Sequence, residues 1–77
     1  MTTITFELAR AGAVRCDVYD VHGRHVATLL DGVASAGQHS VTWNGRTDRG
    51  LSVPSGVYQY QLQGEGWALS RKMVLAR

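Results

Sequence analysis

Apolar and polar residues alternate along most of this chain with a period of two, the period of a β-strand. In residues 3–8 the apolar set Ile4, Phe6 and Leu8 alternates with Thr3, Thr5 and Glu7. A turn at Ala11 and Gly12 follows. Val14, Cys16 and Val18 then take one face of a second strand, with Arg15 and Asp17 on the other. Residues 20–23 read as a turn, with Gly23 as the natural residue for positive φ. Residues 24–30 are less regular. Val26, Thr28 and Leu30 share one face and Ala27 and Leu29 the other, which predicts a strand partly covered on both sides. A small-residue loop is expected from Asp31 to Gly37.

Alternation resumes at residues 39–43, aiming His39, Val41 and Trp43 to one side. A polar loop, 44–50, leads to the single proline, Pro54. Residues 56–62 then place Tyr58, Tyr60 and Leu62 inside and Gln59 and Gln61 outside. Gly64, Glu65 and Gly66 form a hairpin turn by length and glycine content. The last strand runs from Trp67 to about Ala76, with Leu69, Met73 and Leu75 as core anchors. Six or seven short strands, turn signals every ~8–12 residues and no helical period predict an all-β, immunoglobulin/fibronectin-like antiparallel sandwich of about seven strands. The aromatic residues Phe6, Trp43, Tyr58, Tyr60 and Trp67 read as the packing of one core.

Length and charge narrow the function classes. Seventy-seven residues make a single domain, 1–77, with a thin stability margin. With 44% hydrophobic and 18% charged residues the chain has the composition of a folding sequence, not a disordered one. The net charge of +2 is scattered, and no basic run exceeds Arg71-Lys72, so no nucleic-acid footprint is visible. No segment approaches the ~18 apolar residues of a membrane span, and no signal peptide follows Met1. One cysteine, Cys16, cannot close an intramolecular disulfide. That argues weakly for a cytosolic home, but it leaves the compartment open.

Four stretches of this sequence, in order, match one module family. The run Val14-Arg15-Cys16-Asp17-Val18-Tyr19-Asp20-Val21-His22-Gly23-Arg24 resembles its V-x-L-x-V-Y-D-x-x-G-R opening. Residues 37–45, from Gly37 through Trp43 to Gly45, resemble A-G-x-H-x-V-x-W-D/N-G. Residues 54–62 resemble P-S-G-V-Y-x-Y-x-L, and residues 70–75 resemble a closing x-R-K-M-V-L. The family is the immunoglobulin-like domain named after the flagellar hook-cap protein FlgD, which merges with the C-terminal sorting domains of type IX secretion.

The resemblance implies a sandwich excised from the C-terminal end of a larger, exported bacterial protein. It would act without catalysis as a carrier or sorting module, presenting strand edges to secretion or surface-anchoring machinery. By the same resemblance, the residues that would carry recognition are Arg71, Lys72, Met73, Val74 and Leu75. The alternative is a structural interaction domain, either an insert of the hook-cap type or an adhesive surface module. Both readings place the domain outside the cytoplasm, with a protein as partner and the export signal elsewhere in the precursor. The architectural positions would be Phe6, Cys16, Val18, Trp43, Gly56, Tyr58 and Tyr60.

Read for chemistry, the residues favour structure. Trp43 ends a strand before Asn44-Gly45 and can cap the core while the chain turns. Tyr58, two residues after Gly56, can return its hydroxyl to the preceding loop. Alternation turns Trp43 and Trp67 inward, which argues against carbohydrate stacking. His22, His25 and His39 lack the companions of a tetrahedral zinc set. In the 44–50 loop Arg46 stands where a calcium loop needs an acid. Cys16, mid-strand on an apolar face, reads as a buried inert thiol. No nucleophile motif, carboxylate pair or phosphate loop is present, so no enzyme, metal or cofactor is expected.

Overall fold

The structure, a computed structural model, describes residues 1–76. Six strands form: β1 (Thr2–Leu8), β2 (Gly12–Tyr19), β3 (His25–Ala34), β4 (Gly37–Trp43), β5 (Gly56–Gly64) and β6 (Trp67–Leu75). They build two antiparallel sheets, a pair β1-β4 and a four-stranded sheet in the order β3-β2-β5-β6. The connections β1 to β2, β3 to β4 and β4 to β5 each pass from one sheet to the other. This is the immunoglobulin-like sandwich expected from the alternation, built from six strands. Where a seventh had room, residues 44–55 form a crossover loop with only an isolated bridge between Arg46 and Ser52.

The core lies between the sheets. It takes Ile4, Phe6 and Leu8 from β1, Val14, Cys16 and Val18 from β2, Trp43 from β4, Tyr58 and Leu62 from β5, and Met73 and Leu75 from β6. Trp43 is only 1% exposed. Its ring meets Tyr58 edge-on, with centroids 5.0 Å apart. Two polar tips of this pair reach the crossover loop: Trp43 Nε1 donates to Arg46 C=O at 3.0 Å, and Tyr58 OH to Pro54 C=O at 2.7 Å. A core thus nails down both ends of a loop. Truncating Trp43 to alanine would cost roughly 3–5 kcal/mol, comparable with the whole stability of many small domains.

Three details differ from the sequence reading. First, β3 does not stop at Leu30 but continues to Ala34, with Asp31 opposite Arg15 and Gly32 opposite Val14. The expected loop shrinks to a turn at Ser35 and Ala36. An available partner in β2 and a cross-strand ion pair, Arg15 Nη1 to Asp31 Oδ2 at 3.7 Å, hold these weak strand formers extended. Second, the mixed faces of residues 24–30 come from two bulges. Cys16 opposes Leu30 while Asp17 opposes Thr28, so Leu29 is an inserted residue; Val26 is another, between the pairs Val18–Ala27 and Tyr19–His25. Each bulge exchanges the faces, so no single period survives.

Third, β6 is buried only at its end. Met73 and Leu75 enter the core, but Leu69 is 37% exposed and Trp67 39%. Alternation puts these residues on the correct face. A two-stranded sheet does not cover four strands, and the first half of β6 lies beyond it. The Trp67 indole instead lies across Gly64, its cross-strand partner: a Cβ on Gly64 would sit 2.5 Å from Trp67 Nε1.

Candidate interaction surface

Of the residues weighed for chemistry, Cys16, His25 and His39 are engaged in holding the fold. Cys16 is fully buried, and burial, followed by the neighbouring Asp17 charge, pushes its thiol up to about 11. A thiol so raised is protonated at neutral pH and a poor nucleophile. His22 sits on the exposed Asp20 turn, where Asp20 Oδ1 accepts the N–H groups of His22 at 2.9 Å and Arg24 at 3.0 Å. Those two bonds keep the Asp20 carboxyl below its ordinary range, the Arg24 amide contributing most. The Nε2 of His39 lies 2.7 Å from Ser35 C=O, and its ring stacks on Phe6. His25 belongs to a separate network on the outer face. Among the described residues no three His, Cys, Asp or Glu side chains converge.

That outer-face network centres on Asp17. Period two places it outward, yet it is 2% exposed. Arg15 Nε donates to its Oδ2 at 2.7 Å and Thr28 Oγ1 to its Oδ1 at 2.7 Å; His25 Nε2 lies 2.8 Å from the same Oδ1. The bulge at Leu29 aligns Thr28 directly opposite Asp17, which is how β3 delivers these partners. Burial alone would raise the Asp17 carboxyl, but the bonds from Arg15, Thr28 and His25 outweigh it and hold it below the usual carboxylate value. Sequence reasoning gave Asp17 a solvated face. Its burial comes from side chains 8 and 11 positions away, and no local pattern announces them.

The 44–53 loop turns its oxygens inward. Asn44 Oδ1 accepts the Arg46 N–H at 3.1 Å, and Thr47 Oγ1 accepts those of Arg49 and Leu51, both at 3.2 Å. Arg46 Nη1 donates to Gly50 C=O at 2.9 Å. Asp48 faces the sheet: its Oδ1 accepts Thr28 N–H at 2.9 Å, while its own N–H donates to Val26 C=O at 3.3 Å. This loop is a clasp on the free side of β3.

The residues singled out for partner recognition lie together on β6, an edge strand. Arg71 and Lys72 are exposed, Val74 is exposed beside Val57 on β5, and Met73 and Leu75 point into the core. Of the positions read as architectural, Phe6, Cys16, Val18, Trp43 and Tyr58 are buried. Tyr60 is half-buried between Val18 and Arg71, and Gly56 opens β5 opposite Leu75. Trp67, taken for core, forms instead one wall of a groove of about 590 Å³ with Leu8, Ala13, Arg10, Glu7 and Glu65. The case from burial against carbohydrate stacking therefore holds for Trp43 and not for Trp67.

The two packed antiparallel sheets define an immunoglobulin-like β-sandwich domain. Residues 2–66 match the family model described as the FlgD Ig-like domain, and the chain belongs to that family. It is 42% identical over 48 residues to the basal-body rod modification protein FlgD of Salmonella typhimurium, and equally to that of Salmonella typhi. Those stretches are 62% of this chain but 21% of the relatives, so the chain spans about a fifth of their length. The crystal structure of FlgD from P. aeruginosa superposes with a TM-score of 0.75 at 26% identity, covering 95% of this chain and 59% of that one.

Proposed function

We propose that this chain is a non-catalytic structural domain of a flagellar rod- and hook-modification protein, acting outside the cytoplasm by binding other proteins. The observation that carries this reading is the family match over residues 2–66, supported by the FlgD superposition across 95% of the chain. A buried, protonated Cys16 and a buried, fully bonded Asp17 serve the fold and leave the surface to do the work. The relatives are flagellar proteins, which favours this reading, the alternative at the level of sequence, over the sorting module expected first from the resemblance.

The test is a chimera. Residues 1–77 replace the corresponding segment of Salmonella typhimurium FlgD in a strain lacking the native copy, with hooks counted by electron microscopy. Restored hooks, set against none when the segment is deleted, are expected. A chimera that is stable and exported but assembles no hooks would refute the reading. Surface delivery of a reporter fused ahead of this domain in a type IX-competent host would reinstate sorting.

A further inference from the structure

The two edges of the four-stranded sheet are finished differently. β3 is bulged at Val26 and Leu29, and the Asp48 clasp binds Thr28 N–H and Val26 C=O on its free side. Bulging and covering both block edge-to-edge pairing. β6 has neither. It pairs with β5 through nine consecutive positions, Gly56–Leu75 to Gly64–Trp67, without a register shift. Among the described residues it makes no backbone bond outside that ladder. Every second residue of such an edge directs its N–H and C=O outward, a template for another strand.

Side chains along this edge are graded. Trp67 and Leu69 leave apolar surface uncovered at the start of β6. At mid-strand Arg71 and Lys72 point to opposite faces, exposed and without an ion-pair partner among the described residues. Self-association in full register is disfavoured. The register that pairs all nine residues of β6 with a second copy is centred on Arg71, which would then oppose its own counterpart. Like charges directly opposite are destabilising.

We propose that the β6 edge receives, as a fifth antiparallel strand, an extended segment of a partner polypeptide carrying two consecutive acidic residues opposite Arg71 and Lys72. The same segment sets apolar residues opposite Leu69 and Trp67, which leave apolar surface uncovered there. Read in its own direction, the partner runs apolar, polar, acid, acid, polar, apolar, polar, apolar, beginning opposite Val74. Main-chain bonds supply affinity and the alternate side chains supply selection. This partner assignment rests on the reading of the chain as a protein-binding module, but not on which assembly the parent protein serves.

The probe is a synthetic octapeptide, Val-Thr-Glu-Glu-Thr-Val-Thr-Val, titrated into the isotopically labelled chain and followed by amide NMR. Shifts and slowed exchange concentrated in β6 are expected. The double variant Arg71→Glu, Lys72→Glu should bind at least about tenfold more weakly and should instead bind the peptide with lysines in place of its glutamates. Its melting temperature should stay close to that of the parent chain, since both side chains are exposed. Absence of shifts at millimolar peptide, shifts on β1, β3 or β4 instead, or equal binding by the double variant would overturn the proposal. So would a concentration-dependent dimer in sedimentation, which would make a second copy the occupant. Lost peptide binding with hooks intact in the chimera removes this proposal alone; bound peptide with hooks absent removes the flagellar reading alone.

Discussion

Replacing Asp17 by alanine tests whether the outer face of the sheet is held by a buried carboxylate. Asp17 is 2% exposed and takes bonds from Arg15 and Thr28, each 2.7 Å long, with His25 Nε2 at 2.8 Å. Bonds to a charged group contribute more than neutral ones, roughly 1.5–3 kcal/mol each before desolvation is counted. Two terms reduce that sum. Burying the carboxylate itself costs free energy. The Arg15 and His25 side chains are 43% and 39% exposed, so water replaces Asp17 as their partner in the variant. A net loss of about 2 kcal/mol is expected, which lowers the melting temperature of a domain this size by roughly 10 °C.

The pH dependence provides an independent check. Asp17 titrates below its ordinary value in the folded chain, whereas in the unfolded chain a carboxyl of this type titrates near ~3.9. A depressed folded value stabilises fully above the unfolded one and loses its contribution as pH falls through the folded one. The gap between parent and variant, measured by urea denaturation, should therefore narrow progressively below about pH 4. A difference under ~0.5 kcal/mol at neutral pH, the ordinary range for surface changes, would refute the account of Asp17 as a buried tie. A gap that widened on acidification would refute its sign.

Tyr58→Phe should cost about 1 kcal/mol by losing the 2.7 Å bond to Pro54 C=O, read from thermal unfolding. A neutral result would mean that packing alone seats the ring. Cys16 should resist a thiol reagent in the native chain and react on denaturation, because it is fully buried and its thiol is raised to about 11; rapid native labelling would contradict the strand register. Asp48→Ala should release the Thr28 amide from its 2.9 Å bond and speed its hydrogen exchange about fivefold or more. Unchanged exchange would show that the clasp does not protect β3.

Where one period governs a strand, the sequence was legible. β1, β4 and β5 alternate as their burial does, since each is covered on one face and pairs without a bulge with a regular partner. β3 was not legible, because each inserted residue reverses the faces and two insertions scramble any local count. Trp67 and Leu69 were misplaced for a different reason. Their orientation follows from alternation, but their cover depends on how many strands the opposite sheet contains, which is a property of the whole fold. Of the candidate surface, Arg71 and Lys72 were visible as a charged pair. The contrast between a clasped edge and a bare one was not, since it depends on where Asp48 lands, 20 residues from Thr28.

Exposed cations on an edge strand are commonly a defence against aggregation. On β6 that defence and a docking role are one mechanism. Arg71 opposes its own counterpart in the fully paired register and so disfavours a second β6, yet the same charge, with that of Lys72, favours a strand that brings carboxylates. Exclusion alone would not need the regular, unbulged ladder that β6 keeps along nine pairs, when β3 shows that this chain can bulge and cover an edge. Nor would it need Trp67 to lie against Gly64, where the missing side chain lets the indole settle flat while still presenting apolar surface. The charged middle then selects the strand, and the apolar end at Trp67 and Leu69 fixes its register. A small sandwich with no disulfide has little stability to spare on ornament. Of the two edges of its four-stranded sheet, the undefended one is where the proposed partner strand docks.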